Sequence, residues 1–75
     1  MFVVVAIHPV VDGWEQVEAS LYHIAGRRWD HGEGDEKTRE LRWFVKTLSE
    51  AVLLRQALAH VGGVSVISRD PVDGR

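Results

Sequence analysis

Cysteine is absent from this 75-residue chain. Disulfides, thiolate metal sites and a cysteine nucleophile are thereby excluded, and packing or self-association has to hold the fold. Proline is scarce: Pro9 and Pro71 each close an apolar run. No long apolar run is present either. The N-terminal one, Phe2 to Val10, is too short to span a bilayer and has neither a basic leader nor a small-residue cleavage site, so a cytoplasmic protein without membrane association is expected. An excess of one charge is also lacking. With 9 basic and 11 acidic residues the formal net charge is −2, which gives no general attraction to nucleic acid or anionic membranes. Repeats, linkers and low-complexity tracts are missing, and residues 1–75 read as one small domain with 71–75 as a flexible tail.

What is present is clearest between Thr47 and Asp70. Thr47 followed by Glu50 forms a capping box, in which the hydroxyl accepts from the Glu50 N–H and the carboxylate reaches back to the N–H of Thr47. Beyond it Ala51, Leu53, Leu54, Ala57, Leu58 and Val61 fall on one side of a helix, with Ser49, Arg55, Gln56 and His60 on the other. Gly62 and Gly63 follow as a left-handed stop. Val64 to Ile67 then reads as a strand ended by Pro71. Upstream, Leu41 to Lys46 alternates as a strand, and Phe2 to Val10 is apolar on both faces, as in a central strand. Between Trp14 and Trp29, Val17, Ala19, Leu21, His23 and Ala25 share one parity, which predicts a long strand with a bulge near Gly26. The polar segment from Asp30 to Lys37 is the expected hairpin loop.

The chain therefore reads as an α+β domain of order β-β-β-α-β. Its four-stranded, mostly antiparallel sheet is expected in the order 4-1-2-3, with one helix packed on one face. A domain this small buries only about 60–65% of the surface of its unfolded chain, so its core is marginal. The uncovered face would display some of Phe2 to Ile7 with Tyr22, Ile24, Phe44 and Ile67, a pattern that marks an interface and predicts a homodimer.

For chemistry the chain offers little. Asp30, His31, Glu33, Asp35 and Glu36 bring one histidine and four carboxylates into a glycine-loosened loop, but without calcium-loop spacing or a zinc set; the segment reads as a solvated hairpin tip, and no metal is expected. His8, His23 and His60 lie in separate elements, with His23 read as a partly buried hydrogen-bonded side chain and His60 as a helix-dipole partner. No glycine-framed serine, catalytic triad or phosphate loop is recognisable, so neither an enzyme nor a cofactor is expected.

Two binding readings follow. Arg27, Arg28, Trp29, Arg39, Arg42, Trp43 and Phe44 interleave bases and aromatics across residues 27–44, which suits stacking on single-stranded nucleic acid. The intervening acids and the overall negative charge oppose that. A protein partner is favoured instead, because interfaces enrich tryptophan, tyrosine and arginine. The candidate partner-binding residues are Tyr22, Arg27, Arg28, Trp29, Arg42 and Phe44.

The stretch RWFVKTLSEAVLLRQALAHVGGVSVISRD resembles a strand-helix-glycine-strand cassette of small uncharacterised proteins of actinobacteria and their bacteriophages. Thr47, Glu50, Ala51, Gly62, Gly63 and the Val64 to Ile67 strand carry the resemblance. They are structural residues, so the resemblance implies fold and a bacterial or phage origin and transfers no active site; a regulatory or inhibitory binding factor is the expected role. The same segment is loosely similar to half of a peptidoglycan-binding SPOR domain, whose second strand-helix-strand half the chain is expected to lack.

Overall fold

The computed structural model describes residues 1–69. The elements are β1 (Phe2–Pro9), α1 (Trp14–Ala25), β2 (His31–Gly34), β3 (Thr38–Val45), α2 (Leu48–Leu58) and β4 (Ser65–Arg69). An α+β fold with a four-stranded antiparallel sheet is thus observed, but with two helices and the sheet order β2-β3-β1-β4. β4 lies beside β1 as expected. β1 pairs antiparallel with both β3 and β4, and β3 with β2. Each strand-helix-strand unit therefore joins two parallel strands that a third strand separates, which is the split β-α-β arrangement.

The expected strand over Trp14 to Trp29 is instead helix α1, which corrects the β-β-β-α-β order, the 4-1-2-3 sheet and the single helix together. Trp14, Val17, Glu18, Leu21 and Ala25 follow a helical spacing and are its buried or half-buried positions, while Ala19 and His23, which parity would have placed inside, are exposed. Gly26 ends α1 in the left-handed region, φ 76°, and its N–H donates to the Tyr22 carbonyl at 3.0 Å. It is a helix stop, not a bulge. Since α1 also supplies a strand-helix-strand unit in the N-terminal half, the expectation that a second such half is lacking is overturned as well. That result bears on fold and assigns no ligand.

The hairpin is shorter at its loop than expected. His31–Gly34 is a strand, which leaves Asp35 to Lys37 as the turn. Asp35 Oδ1 accepts from the backbone N–H of Lys37 (2.8 Å) and Thr38 (3.0 Å). These bonds favour the ionised carboxylate and hold the Asp35 carboxyl below its ordinary range.

Helix α2 begins as predicted. Thr47 Oγ1 accepts from the Glu50 N–H at 3.1 Å, although the Glu50 carboxylate lies 3.2 Å from that hydroxyl rather than reaching the Thr47 N–H. The helix ends at Leu58, and backbone bonds from His60 to Ala57 and from Val61 to Leu58 tighten its last turn. Only Gly63 takes the left-handed conformation there. Leu53, assigned to the apolar stripe, is among the most exposed large apolar residues.

The core lies between the helices and one sheet face. Val4 and Ala6 of β1 meet Trp43 and Leu41 of β3 across the sheet, and Leu21, Ala51 and Leu58 close over them. Of the run Phe2 to Ile7, Phe2 packs against this cluster while Val3, Val5 and Ile7 take the other face. The strand end at Pro71 and the tail 71–75 lie outside the described residues.

Candidate binding surface

Side-chain parity fixes what the other face displays. One row across the strands is Phe44, Val3 and Arg69; the next is His31, Arg42, Val5 and Ile67; the third is Glu33, Glu40, Ile7 and Ser65. Among the described residues no helix covers this face. Val3 and Val5 form its floor, buried between the longer side chains of their neighbours, while Ile67 is exposed and Ile7 and Phe44 are half-buried. The β2–β3 half is polar. Arg42 donates from Nε to Glu40 Oε2 at 2.6 Å and lies 3.6 Å from Glu33 Oε2, and His31 Nε2 is 3.1 Å from Glu33 Oε1. The hydrogen bond from His31, followed by the charge of Arg42, holds the Glu33 carboxyl below its ordinary range. The face is thus an apolar floor at β1 and β4 beside a charge network at β2 and β3.

The six candidate residues do not gather on it. Arg42 and Phe44 are there. Tyr22 is exposed on α1 in the helical layer, as is Ile24. Arg27, Arg28 and Trp29 occupy the connection from α1 to β2. Arg27 donates from Nη2 to Asp30 Oδ2 (2.6 Å) and to the Phe44 carbonyl (2.7 Å), while Asp30 Oδ2 also accepts from the Phe44 N–H (2.8 Å). This connection is therefore stitched to the end of β3. Trp29 is half-buried and packs edge-on against Trp43, ring centroids 6.0 Å apart, with the Arg28 guanidinium 5.9 Å from its ring centre. The stacking platform expected over residues 27–44 is divided: Trp43 is buried in the core, Trp29 leans on it, and Phe44 points to the opposite face.

The loop acids and His31 likewise fail to converge, and no group of three or more ligands able to hold a metal occurs among the described residues. His23 is exposed on α1 instead of partly buried, and His60 is exposed beyond α2.

One polar cluster went unanticipated. His8 of β1 and Arg39 of β3 are register partners on the helix-covered face, and Glu18 descends on them from α1. His8 Nε2 is 2.7 Å from Glu18 Oε2, its Nδ1 is 3.0 Å from the Pro9 carbonyl, and Arg39 Nε donates to the same carboxylate oxygen. Trp14, one turn before Glu18, lies against the His8 ring at 6.2 Å with the Arg39 guanidinium 5.0 Å above it. His8 is almost wholly buried and Glu18 nearly so. This cluster joins α1 to the sheet, with His8 and Glu18 inside and the half-buried Trp14 and Arg39 over them. A charged residue at a helical spacing from Trp14, Val17, Leu21 and Ala25 was the signal available in the sequence.

A cleft of about 330 Å³ opens between the helices, lined by Ile24, Ala25, Leu53, Leu54 and Ala57 with Arg27 and Glu50 at its rim. The fold thus defines a split β-α-β protein with an open sheet face. Comparisons with protein-family models, curated proteins and solved structures give no match.

Proposed function

We propose that this chain is a non-enzymatic binding protein that acts as a homodimer and engages a protein partner through the open face of its sheet. The observation that carries the reading is the composition of that face. An apolar floor of Val3 and Val5, bordered by Ile7, Phe44 and Ile67, adjoins side chains already paired with one another, namely Arg42, Glu40, Glu33 and His31. Such a surface offers Ile67 and the half-buried Ile7 and Phe44 for burial, beside a polar rim that needs little reorganisation. A regulatory or inhibitory role suits a domain of this size with an uncovered sheet face to present.

Affinity capture tests it with immobilised wild-type protein beside Phe44→Glu, both checked for equal helicity by circular dichroism. A defined protein retained by the wild type and lost on Phe44→Glu supports the reading. Retention that the substitution leaves unchanged overturns it.

The alternative is nucleic-acid binding by the hairpin 27–44. Its support is the Arg28 guanidinium stacked on Trp29, which leaves one arginine-aromatic pair near the surface. Against it, Arg27 and Arg42 are already engaged by Asp30, Glu33 and Glu40. Retention on single-stranded DNA at low salt that is lost on charge reversal of Arg28 would favour this alternative.

A further inference from the structure

The two edges of the sheet are unlike. β2 is a four-residue strand, fully exposed, with glycine at two of its positions and an ion-paired His31 and Glu33 at the others. Short length and charge are the usual protections of a strand edge against pairing. β4 has neither. Its sequence, Ser65-Val66-Ile67-Ser68-Arg69, contains no proline or glycine, and only its final residue is charged. It pairs with β1 along its whole length, while its outer edge pairs with nothing among the described residues. At the centre of that strand stands Ile67, exposed on the open face.

We infer that the homodimer forms by antiparallel pairing of β4 with β4 of a second copy, centred on Ile67, to give one continuous eight-stranded sheet. The inference rests on the dimer proposed above and specifies its interface. A two-fold axis normal to the sheet keeps both copies' helices on the same side, so residues of one face must meet residues of the same face. Centring on Ile67 uses all five residues of the strand. It places Ile67 against Ile67, Ser65 against Arg69 and Val66 against Ser68. Centring on Val66 would leave Ser68 and Arg69 unmatched, and centring on Ser68 would leave Ser65 and Val66 unmatched. In the favoured register no like charges oppose each other, and the exposed isoleucines cover one another on the axis. The open faces of the two copies then join into one surface of double width.

Because the chain has no cysteine, single introduced thiols report the register cleanly. Sedimentation of the wild type at tens of micromolar is expected to give a dimer. Ile67→Cys is expected to cross-link in high yield with a short thiol-reactive bifunctional reagent. Ser65→Cys alone should not, since its two copies would lie about 13 Å apart along the strands, whereas a mixture of Ser65→Cys and Arg69→Cys chains should cross-link to each other. Ile67→Lys, which opposes two ammonium groups on the axis, is expected to weaken dimerisation at least tenfold with circular dichroism unchanged. A wild-type dimer whose Ile67→Cys variant does not cross-link would overturn the β4 interface while leaving the dimer standing. A strict monomer would overturn both.

Discussion

Glu18 is the residue on which the N-terminal half turns. Its carboxylate takes hydrogen bonds from His8 and Arg39, which sit side by side on neighbouring strands, and so ties α1 to the sheet at one point. Removing one member of a buried ionic group leaves the others desolvated without compensation, which typically costs several kcal/mol. Glu18→Ala is therefore expected to lower unfolding free energy by about 3 kcal/mol, read as a fall in the urea midpoint with little change in slope. Glu18→Gln, which can still accept from Arg39, should lose clearly less. The same residue explains why the sequence there suggests a strand: a carboxylate in the middle of an apolar stripe interrupts the helical pattern, and Val17, Ala19, Leu21, His23 and Ala25 alternate across it. Asp35 acts at the other hairpin end. Its carboxyl is held low by two backbone N–H groups, so its contribution to the β2–β3 turn is complete above the unfolded-state value near 4 and is lost as pH falls through the lower folded-state one. Protection of the Thr38 amide, taken against its intrinsic exchange rate at each pH, should fall as pH drops below about 4, and in Asp35→Ala it should be low throughout, with no such step.

At the level of elements, the C-terminal unit was legible because each signal there is local. Thr47 caps α2, and β3 and β4 follow their alternation. Thr47→Ala is expected to cost about 1 kcal/mol, the usual loss for an N-cap hydroxyl, measurable as a lower thermal midpoint. The N-terminal unit was obscured because its decisive contacts are long-range. Gly26 has the same ambiguity in miniature: glycine marks a bulge in a strand and a stop after a helix, and only its φ of 76° decides. Gly26→Ala should destabilise by about 1 kcal/mol through that backbone conformation alone, since no atom crowds the added methyl. The candidate site was legible only in part for a related reason. Once Trp14–Ala25 is a helix, Tyr22 leaves the sheet face and the aromatics of the hairpin divide between the two sides of β3. Arg42 and Phe44 share the uncovered face because the alternation read from Leu41 onward is that of β3, although the strand begins earlier, at Thr38, and ends at Val45.

The whole molecule is short of core. Ten apolar residues are buried among those described, and four of them are alanine or valine on β1. A domain of this size with no disulfide is stable by a narrow margin, and an unpaired β4 edge offers a second copy as the means to widen it. Association that stabilises only the folded state makes unfolding depend on protein concentration. If two chains unfold as one unit of about 150 residues, its unfolding entropy is on the order of 0.3 kcal/mol per kelvin, so each tenfold increase in concentration should raise the thermal midpoint by about 4 °C. The midpoint is accordingly expected to climb steadily from a few micromolar to a few hundred in scanning calorimetry. Ile67→Lys should flatten that climb, because opposed lysines remove the pairing without touching the helix-covered core. Glu18→Ala should lower the whole line and keep its slope, since the cluster it breaks lies on the other side of the sheet. Parallel lines in one case and a lost slope in the other separate the strength of the fold from the strength of its association, and an equal slope in wild type and Ile67→Lys would place the association elsewhere than β4.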